Sequence, residues 1–342
     1  MPRPCAASAP PVSQAAVTGA LPSASPLPGT EPPAADWREA PWWQPLRPGL
    51  DTLQGAEPDD ATIAELNRRA AAQRLRNEAG LPVTFVPGRE ALSAVGYETR
   101  IATAGQVSTR LGGRDGWHDW FNAVVWLAWP RLKARLNRLH EQMIAAEPGR
   151  RGRVRDALTL FDENAALVVT ADPAVGPALH AHRWQTLFVE QRDQWLRSVR
   201  VLLFGHGLMQ RMLRPYPSLC AKAWIVEVEP DVLAAIDAGR LDALDAAVAA
   251  ALTPARLDPR GFAPLPVLGV PGWWPANEDP SFYNDRAVFR PARGAVEAAA
   301  RTTRTASTGT PDSSDAEPVD DTEHADHAGG MSAPMTNRRP YP

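Results

Sequence analysis

The chain has 342 residues, with 36 Lys and Arg against 39 Asp and Glu, a formal net charge of −3 and an isoelectric point of about 6.2. That balance gives no global drive towards nucleic acid or an anionic membrane. Two cysteines far apart, Cys5 and Cys220, exclude a disulfide framework, and no run approaches the roughly 18 apolar residues of a membrane span. Residues 1–30 lack the apolar stretch of a secretory signal, so a cytoplasmic protein without a membrane span is expected.

Large core-forming side chains mark out the folded part, because 23 of the 24 aromatic residues lie between Trp37 and Phe289. Residues 1–36 hold nine prolines among Ala and Ser, and residues 294–342 are rich in Ser, Thr and acidic groups. Neither composition buries enough apolar surface to offset chain entropy. The expectation is a disordered Pro/Ala-rich arm (1–36), one globular domain (37–293) and a disordered acidic tail (294–342). The fold class expected for the domain is α/β or α+β, helix-rich around a small mixed sheet.

Within that domain, Asp59 or Asp60 caps a helix marked by Ile63 and Leu66, which is expected to end near Gly80. Residues 82–86 and 97–103 read as short strands. Phe121, Val125, Ala128, Leu132, Leu136, Leu139 and Met143 recur at helical steps, so 117–146 is helical, with a kink or break at Pro130. Residues 153–164 read as a helix closing on Asn164, or else as the first arm of a hairpin running into 166–170. A helix opening at Pro173, helical texture over 184–195, a strand at 199–204 and a helix over 208–213 follow, with a turn at Gly205-His206-Gly207. Next come a strand over 223–228 and two helices hinged at Gly239 within 231–252. The proline-dense stretch 264–275 is expected to be extended and irregular, with Trp273 and Trp274 buried.

No Walker A loop, Gly-x-Gly-x-x-Gly, His-Glu-x-x-His, Gly-x-Ser-x-Gly elbow or paired Cys-x-x-Cys occurs, which removes the readings those motifs carry. His118-Asp119 superficially matches the His-Asp pair of metal phosphohydrolases, but no histidine precedes it. His118 and Asn122, four residues apart, sit together at the rim of the apolar stripe, where they could bind a metal, orient a water or place a substrate. A capped helix with Asp119 complementing its dipole and a structural His118 explains the same residues. Asp156, Asp162 and Glu163 form a carboxylate group suited to acid–base work or to a divalent cation, or simply a helix end. His206, between two glycines at the end of a strand, stands where α/β sheets place ligands, although a turn using positive-φ glycines is the plainer account. Eight basic residues between Arg131 and Arg155 face only Glu141 and Glu147. Arg150, Arg151, Arg153 and Arg155 are therefore candidates for binding phosphate or another anion, or a solvated helix face.

Several ordered motifs resemble an uncharacterised proteobacterial family catalogued as domain of unknown function 3025. They are Tyr97-Glu-Thr-Arg-Ile101, His118-Asp-Trp-Phe-Asn122, the run Arg155 to Asn164, Phe204-Gly-His206, the run Pro264 to Trp274, and Phe282-Tyr-Asn-Asp-Arg286 through Phe289-Arg-Pro291. The resemblance implies a bacterial, intracellular setting and supplies no activity, cofactor or catalytic residue. Where the family reads Asp-Glu-Asn-Gly, this chain has Ala165, so a tight positive-φ turn is not expected there.

The expected function is a hydrolase-like enzyme binding a small polar or phosphorylated ligand among His118, Asp119, Asn122, Asp156, Asp162, Glu163 and His206. His206 or Glu163 would serve as general base, and a divalent cation is the possible cofactor. The alternative is a non-catalytic binding or scaffold protein using segment 131–155 for nucleic acid or an acidic partner, with nucleic acid the less favoured of the two.

Overall fold

A computed structural model describes residues 37–292 except 54, 56, 89–92, 148 and 151. The expected arm and tail lie outside the described residues. The described chain begins with two 3-10 turns, Trp37–Glu39 and Pro41–Leu46, which run into α1 (Arg47–Leu50). Their tryptophans fasten them to the later helix carrying Phe121, with Trp43 stacked on that ring at 5.3 Å and Trp37 edge-on to Trp117 and Trp120.

Helix α2 (Asp60–Ala72) starts where expected, because the Asp59 carboxylate accepts the Thr62 N–H at 2.9 Å and Thr62 Oγ1 reciprocates as a capping box. It stops at Ala72 rather than near Gly80. Arg74 takes a positive φ of 54°, and Gly80 instead serves a second turn before Pro82. Strand β1 (Thr84–Pro87) pairs in parallel with β2 (Gln106–Thr109). The segment between them corrects the reading of 97–103 as a strand, since it is helix α3 (Ala94–Ala104). Ser93 caps it through the Gly96 N–H, and Gly105 closes it at a φ of 67°. Parallel neighbours need a crossover, and a helix supplies it despite the β-branched Thr99, Ile101 and Thr103.

The long helical stretch breaks at its proline as expected. Helix α4 (Gly113–Ala128) begins one turn earlier than the apolar stripe indicated, and α5 (Pro130–Ala146) follows after Trp129 adopts a φ of −130° and ψ of 60°. Helix α6 (Arg153–Asn164) then passes directly into β3 (Ala165–Thr170), so the helix and the strand that had competed for this region are both present. Ala165 has a φ of −75°, in keeping with the absence of a glycine.

Beyond β3 come α7 (Val175–His180), which starts two residues after Pro173, a π-helical turn (Thr186–Glu190) and α8 (Arg192–Ser198). Strand β4 (Val199–Leu203), helix α9 (His206–Met212) and strand β5 (Cys220–Glu227) follow. Helices α10 (Pro230–Asp237) and α11 (Asp242–Ala251) are hinged at Gly239, whose φ is 72°. Asp245 of α11 caps α5 from outside, accepting the Arg131 and Leu132 N–H groups at 2.9 Å each. The proline-dense stretch contains a regular strand that was not expected, β6 (Ala263–Pro266), and its Trp273 and Trp274 are half-buried rather than buried. Prolines are tolerated because β6 is an edge strand.

The four-stranded sheet has the order β4-β3-β5-β6, with β3 antiparallel to β4 and parallel to β5. Every residue of β3 is buried, as expected for a central strand covered on both faces. The domain is thus helix-rich around small sheets, one parallel and one mixed. Among the described residues no helix is long and apolar enough to cross a membrane.

Candidate metal centre

Three helices meet at one point. Helix α4 presents His118, Asp119 and Asn122; the last turn of α6 presents Asp162 and Glu163; and the β4–α9 junction presents His206 as the first residue of its helix. The flanking glycines explain how α9 comes so close to α6. Neither has a positive φ. A Cβ on Gly205 would lie 2.4 Å from the Asn164 nitrogen, and one on Gly207 would lie 2.4 Å from Glu163 Oε2. Glycine is therefore required here for close approach rather than for a turn.

At the meeting point His118 Nε2 and His206 Nε2 are 3.0 Å apart, so one nitrogen donates and the other accepts. Glu163 Oε1 lies 3.3 Å from His206 Nε2 and 3.7 Å from His118 Nε2. Behind His206, Asp162 Oδ1 faces Nδ1 at 3.6 Å, beyond hydrogen-bond length, and Nδ1 is buried without a hydrogen-bond partner among the described residues. Asp162 is itself held by the Lys133 ammonium at 2.6 Å, and Lys133 is only 4% exposed.

Charge follows from this arrangement. Burial opposes the charged form of His206, but the Asp162 and Glu163 carboxylates outweigh it and push its pKa up to about 9. Burial lowers His118, and the neighbouring His206 charge adds to the effect. Burial would raise Asp162, yet Lys133 and His206 hold it well below the ordinary carboxylate range. Glu163 is likewise lowered, because its hydrogen bond and charge contact with His206 exceed the effect of burial.

These groups open on a cavity of about 390 Å³. Six of the seven residues expected at a catalytic site line it: His118, Asp119, Asn122, Asp162, Glu163 and His206. The seventh, Asp156, sits in the first turn of α6 and does not line it. Asp119 is engaged by Arg110, which donates to it from its backbone N–H at 2.7 Å and from its guanidinium at 3.0 Å. Asn122 donates to the Tyr97 hydroxyl at 2.6 Å, while its own Oδ1 is buried without a partner among the described residues. Of the candidate anion-binding arginines among the described residues, Arg155 alone lines the cavity. Arg153 pairs with Asp258 at 2.6 Å, Arg150 is exposed, and Arg151 lies outside the described residues. The rest of the basic run is engaged locally: Arg131 and Arg135 donate to carbonyls of Asp242 and Leu252, and Arg138 pairs with Glu141.

Other residues of the site were not anticipated. Lys133, Asn137 and His140 form a buried polar stripe on α5 at helical spacing. Lys133 holds Asp162, Asn137 donates to Glu98 Oε2 at 2.7 Å, and His140 lines the cavity. Glu98 and Tyr97 enter from α3. Burial pushes Glu98 up to about 7 despite the Asn137 hydrogen bond, and burial raises the Tyr97 hydroxyl. In the sequence Lys133, Asn137 and His140 stand among other polar residues of α5, so their burial is not marked there. Glu98 was hidden by the misassigned strand.

Two imidazole nitrogens and one carboxylate oxygen form a triangle of donor atoms with sides of 3.0, 3.3 and 3.7 Å. Ligands about 2.0 to 2.1 Å from a tetrahedral Zn²⁺ stand about 3.3 Å apart, and octahedral sites place neighbouring ligands only slightly closer. The fold and the cluster together define a helix-rich protein with a two-histidine, one-carboxylate group at the head of a polar cavity. More particularly, residues 54–293 match the family described as protein of unknown function (DUF3025), and the chain belongs to that family. No curated protein and no solved structure matches it.

Proposed function

We propose that this protein is a metal-dependent hydrolase acting on a small polar ligand, with His118 Nε2, His206 Nε2 and Glu163 Oε1 as metal ligands. The observation that carries this reading is the donor triangle itself, because three ligand atoms, two imidazole nitrogens and a carboxylate oxygen suited to one transition metal, converge within 3.7 Å. Two histidines with one carboxylate leave coordination positions open, the mark of a catalytic rather than a structural centre. A divalent ion there would lower the pKa of a bound water and polarise the bond under attack.

The remaining side chains take supporting roles. Asp162 Oδ1 faces His206 Nδ1 at 3.6 Å and, on closing to hydrogen-bond distance, would hold the tautomer that leaves Nε2 free to bind a metal, while Lys133 keeps Asp162 ionised and in place. With His206 and Glu163 taken as ligands, the general-base role first expected of them passes to Glu98. Its carboxyl lines the same cavity and its pKa of about 7 suits proton transfer near neutral pH. The unpaired Asn122 Oδ1 offers an acceptor to a hydroxyl or amide of the ligand.

The test is metal analysis by mass spectrometry of untagged protein purified without chelator, beside the His118→Ala/His206→Ala variant. About one Zn, Fe or Mn per chain, lost in a variant that still folds, is the expected result. Wild-type protein that neither carries nor takes up any of these ions overturns the proposal.

A further inference from the structure

Helices α5 and α6 are joined by a short connection and run antiparallel, and the Lys133–Asp162 pair fixes their register. Seven residues along α5 from Lys133 is His140, and seven residues back along α6 from Asp162 is Arg155. The two therefore stand opposite one another, and both line the cavity. Arg155, Thr159 and Glu163 follow at four-residue steps on one face of α6, and all three line the same space. Eight residues separate Arg155 from Glu163, about 12 Å of helix axis. The cavity thus has two chemically different ends, with the carboxylates and the histidine pair at one and a guanidinium beside an imidazole at the other.

The guanidinium is incompletely used. One amino group donates to the Arg150 carbonyl at 3.0 Å, whereas Nε is buried with no hydrogen-bond partner among the described residues. A buried donor of this kind normally has an acceptor, and the cost of leaving it without one favours a ligand that supplies it. Arg110, the other arginine at the cavity, already has Nε and both amino groups committed to Asp115 and Asp119. Nε of Arg155 lies on the edge of the guanidinium that engages carboxylate or phosphate in a bidentate manner.

We propose that the Arg155 end of the cavity is the subsite for an anionic group, phosphate or carboxylate, of a small substrate whose reacting bond lies at the His118/Glu163/His206 cluster. The substrate class then follows: a compact molecule with an anionic terminus up to about two helical turns from its reacting bond. This assignment rests on the metal-hydrolase reading for the reacting end, but the anion subsite itself is testable without metal.

The experiment is calorimetric titration of metal-stripped full-length protein with inorganic phosphate and, separately, with acetate, in wild type and in Arg155→Gln and Arg155→Lys. Binding of at least one anion, weakened at least 10-fold in Arg155→Gln and only partly restored in Arg155→Lys, is expected, with unchanged melting temperature and, for protein not stripped, unchanged metal content. Which anion binds more tightly identifies the group carried by the substrate. Absence of binding by both anions in wild type, or binding that Arg155→Gln leaves intact, overturns the subsite. Failure of the metal reading is separately visible, as phosphate or acetate bound through Arg155 by a protein that takes up no metal.

Discussion

Replacing Lys133 by Met keeps most of the aliphatic stem but removes the ammonium that lies 2.6 Å from Asp162 Oδ1. Both side chains are largely out of water, at 5% and 15% exposure. Removing one member of a buried ion pair costs about 3 to 5 kcal/mol, because the other charge is left uncompensated. His206 stands 3.6 Å from the same carboxylate and supplies partial compensation, which places the expected loss near 3 kcal/mol. For a domain of this size each kcal/mol moves the melting temperature by about 2 to 4 °C, so Lys133→Met is expected to melt about 6 to 12 °C lower at pH 7. The sign with pH follows from the lowered pKa of Asp162: its pairing stabilises the fold above the ordinary carboxylate range and is lost as pH falls through the lowered value. In the variant Asp162 protonates more readily, so the deficit is greatest near neutral pH and narrows in acid. Urea unfolding at pH 7 and at about pH 4 measures both quantities. A loss below about 1 kcal/mol at pH 7, or a deficit that widens in acid, would refute the reasoning.

Asp162→Asn keeps an acceptor beside His206 Nδ1 but removes its charge, and competition with a chromogenic chelator is expected to show metal affinity reduced about 10- to 100-fold. Gly205→Ala and Gly207→Ala should separate folding from metal binding. At Gly205 the new methyl meets backbone nitrogens of Asn164 and Ala165 that cannot yield, so thermal denaturation should show a loss of about 1 to 3 kcal/mol. At Gly207 the methyl meets the Glu163 carboxylate, and the expected result is a smaller effect on stability with a clear loss of bound metal. Asn137→Leu removes the donor to Glu98 Oε2, and turnover of a responsive model substrate should fall while metal content stays at the wild-type level.

Local signals were read correctly where a single residue dictates the backbone. Pro130 breaks the helix wherever it sits, Asp59 caps because its side chain reaches the Thr62 N–H, and Gly239 supplies a left-handed hinge. Segment 97–103 does not show its helix locally, because seven residues cannot separate a period of two from one of 3.6, whereas the parallel pairing of β1 and β2 demands a crossover. His206 attracted notice for its glycines, yet these serve close approach to α6, which no local pattern encodes. The candidate residues His118, Glu163 and His206 were legible as types and spacings, whereas their meeting depends on contacts between α4, α6 and α9. Lys133 is one of the basic residues that read as a solvated face, and nothing in the sequence separates it, Asn137 or His140 from the exposed polar residues of α5; the packing of α5 against α3 and α6 buries them.

One metal ion is proposed to join His118, His206 and Glu163. Anomalous X-ray scattering from crystals of protein grown with its native metal tests it most directly. An anomalous peak about 2.0 to 2.2 Å from His118 Nε2, His206 Nε2 and Glu163 Oε1 is the expected result. A map without such a peak, in which the two imidazoles remain joined by a direct hydrogen bond in metal-supplemented crystals, would contradict the account.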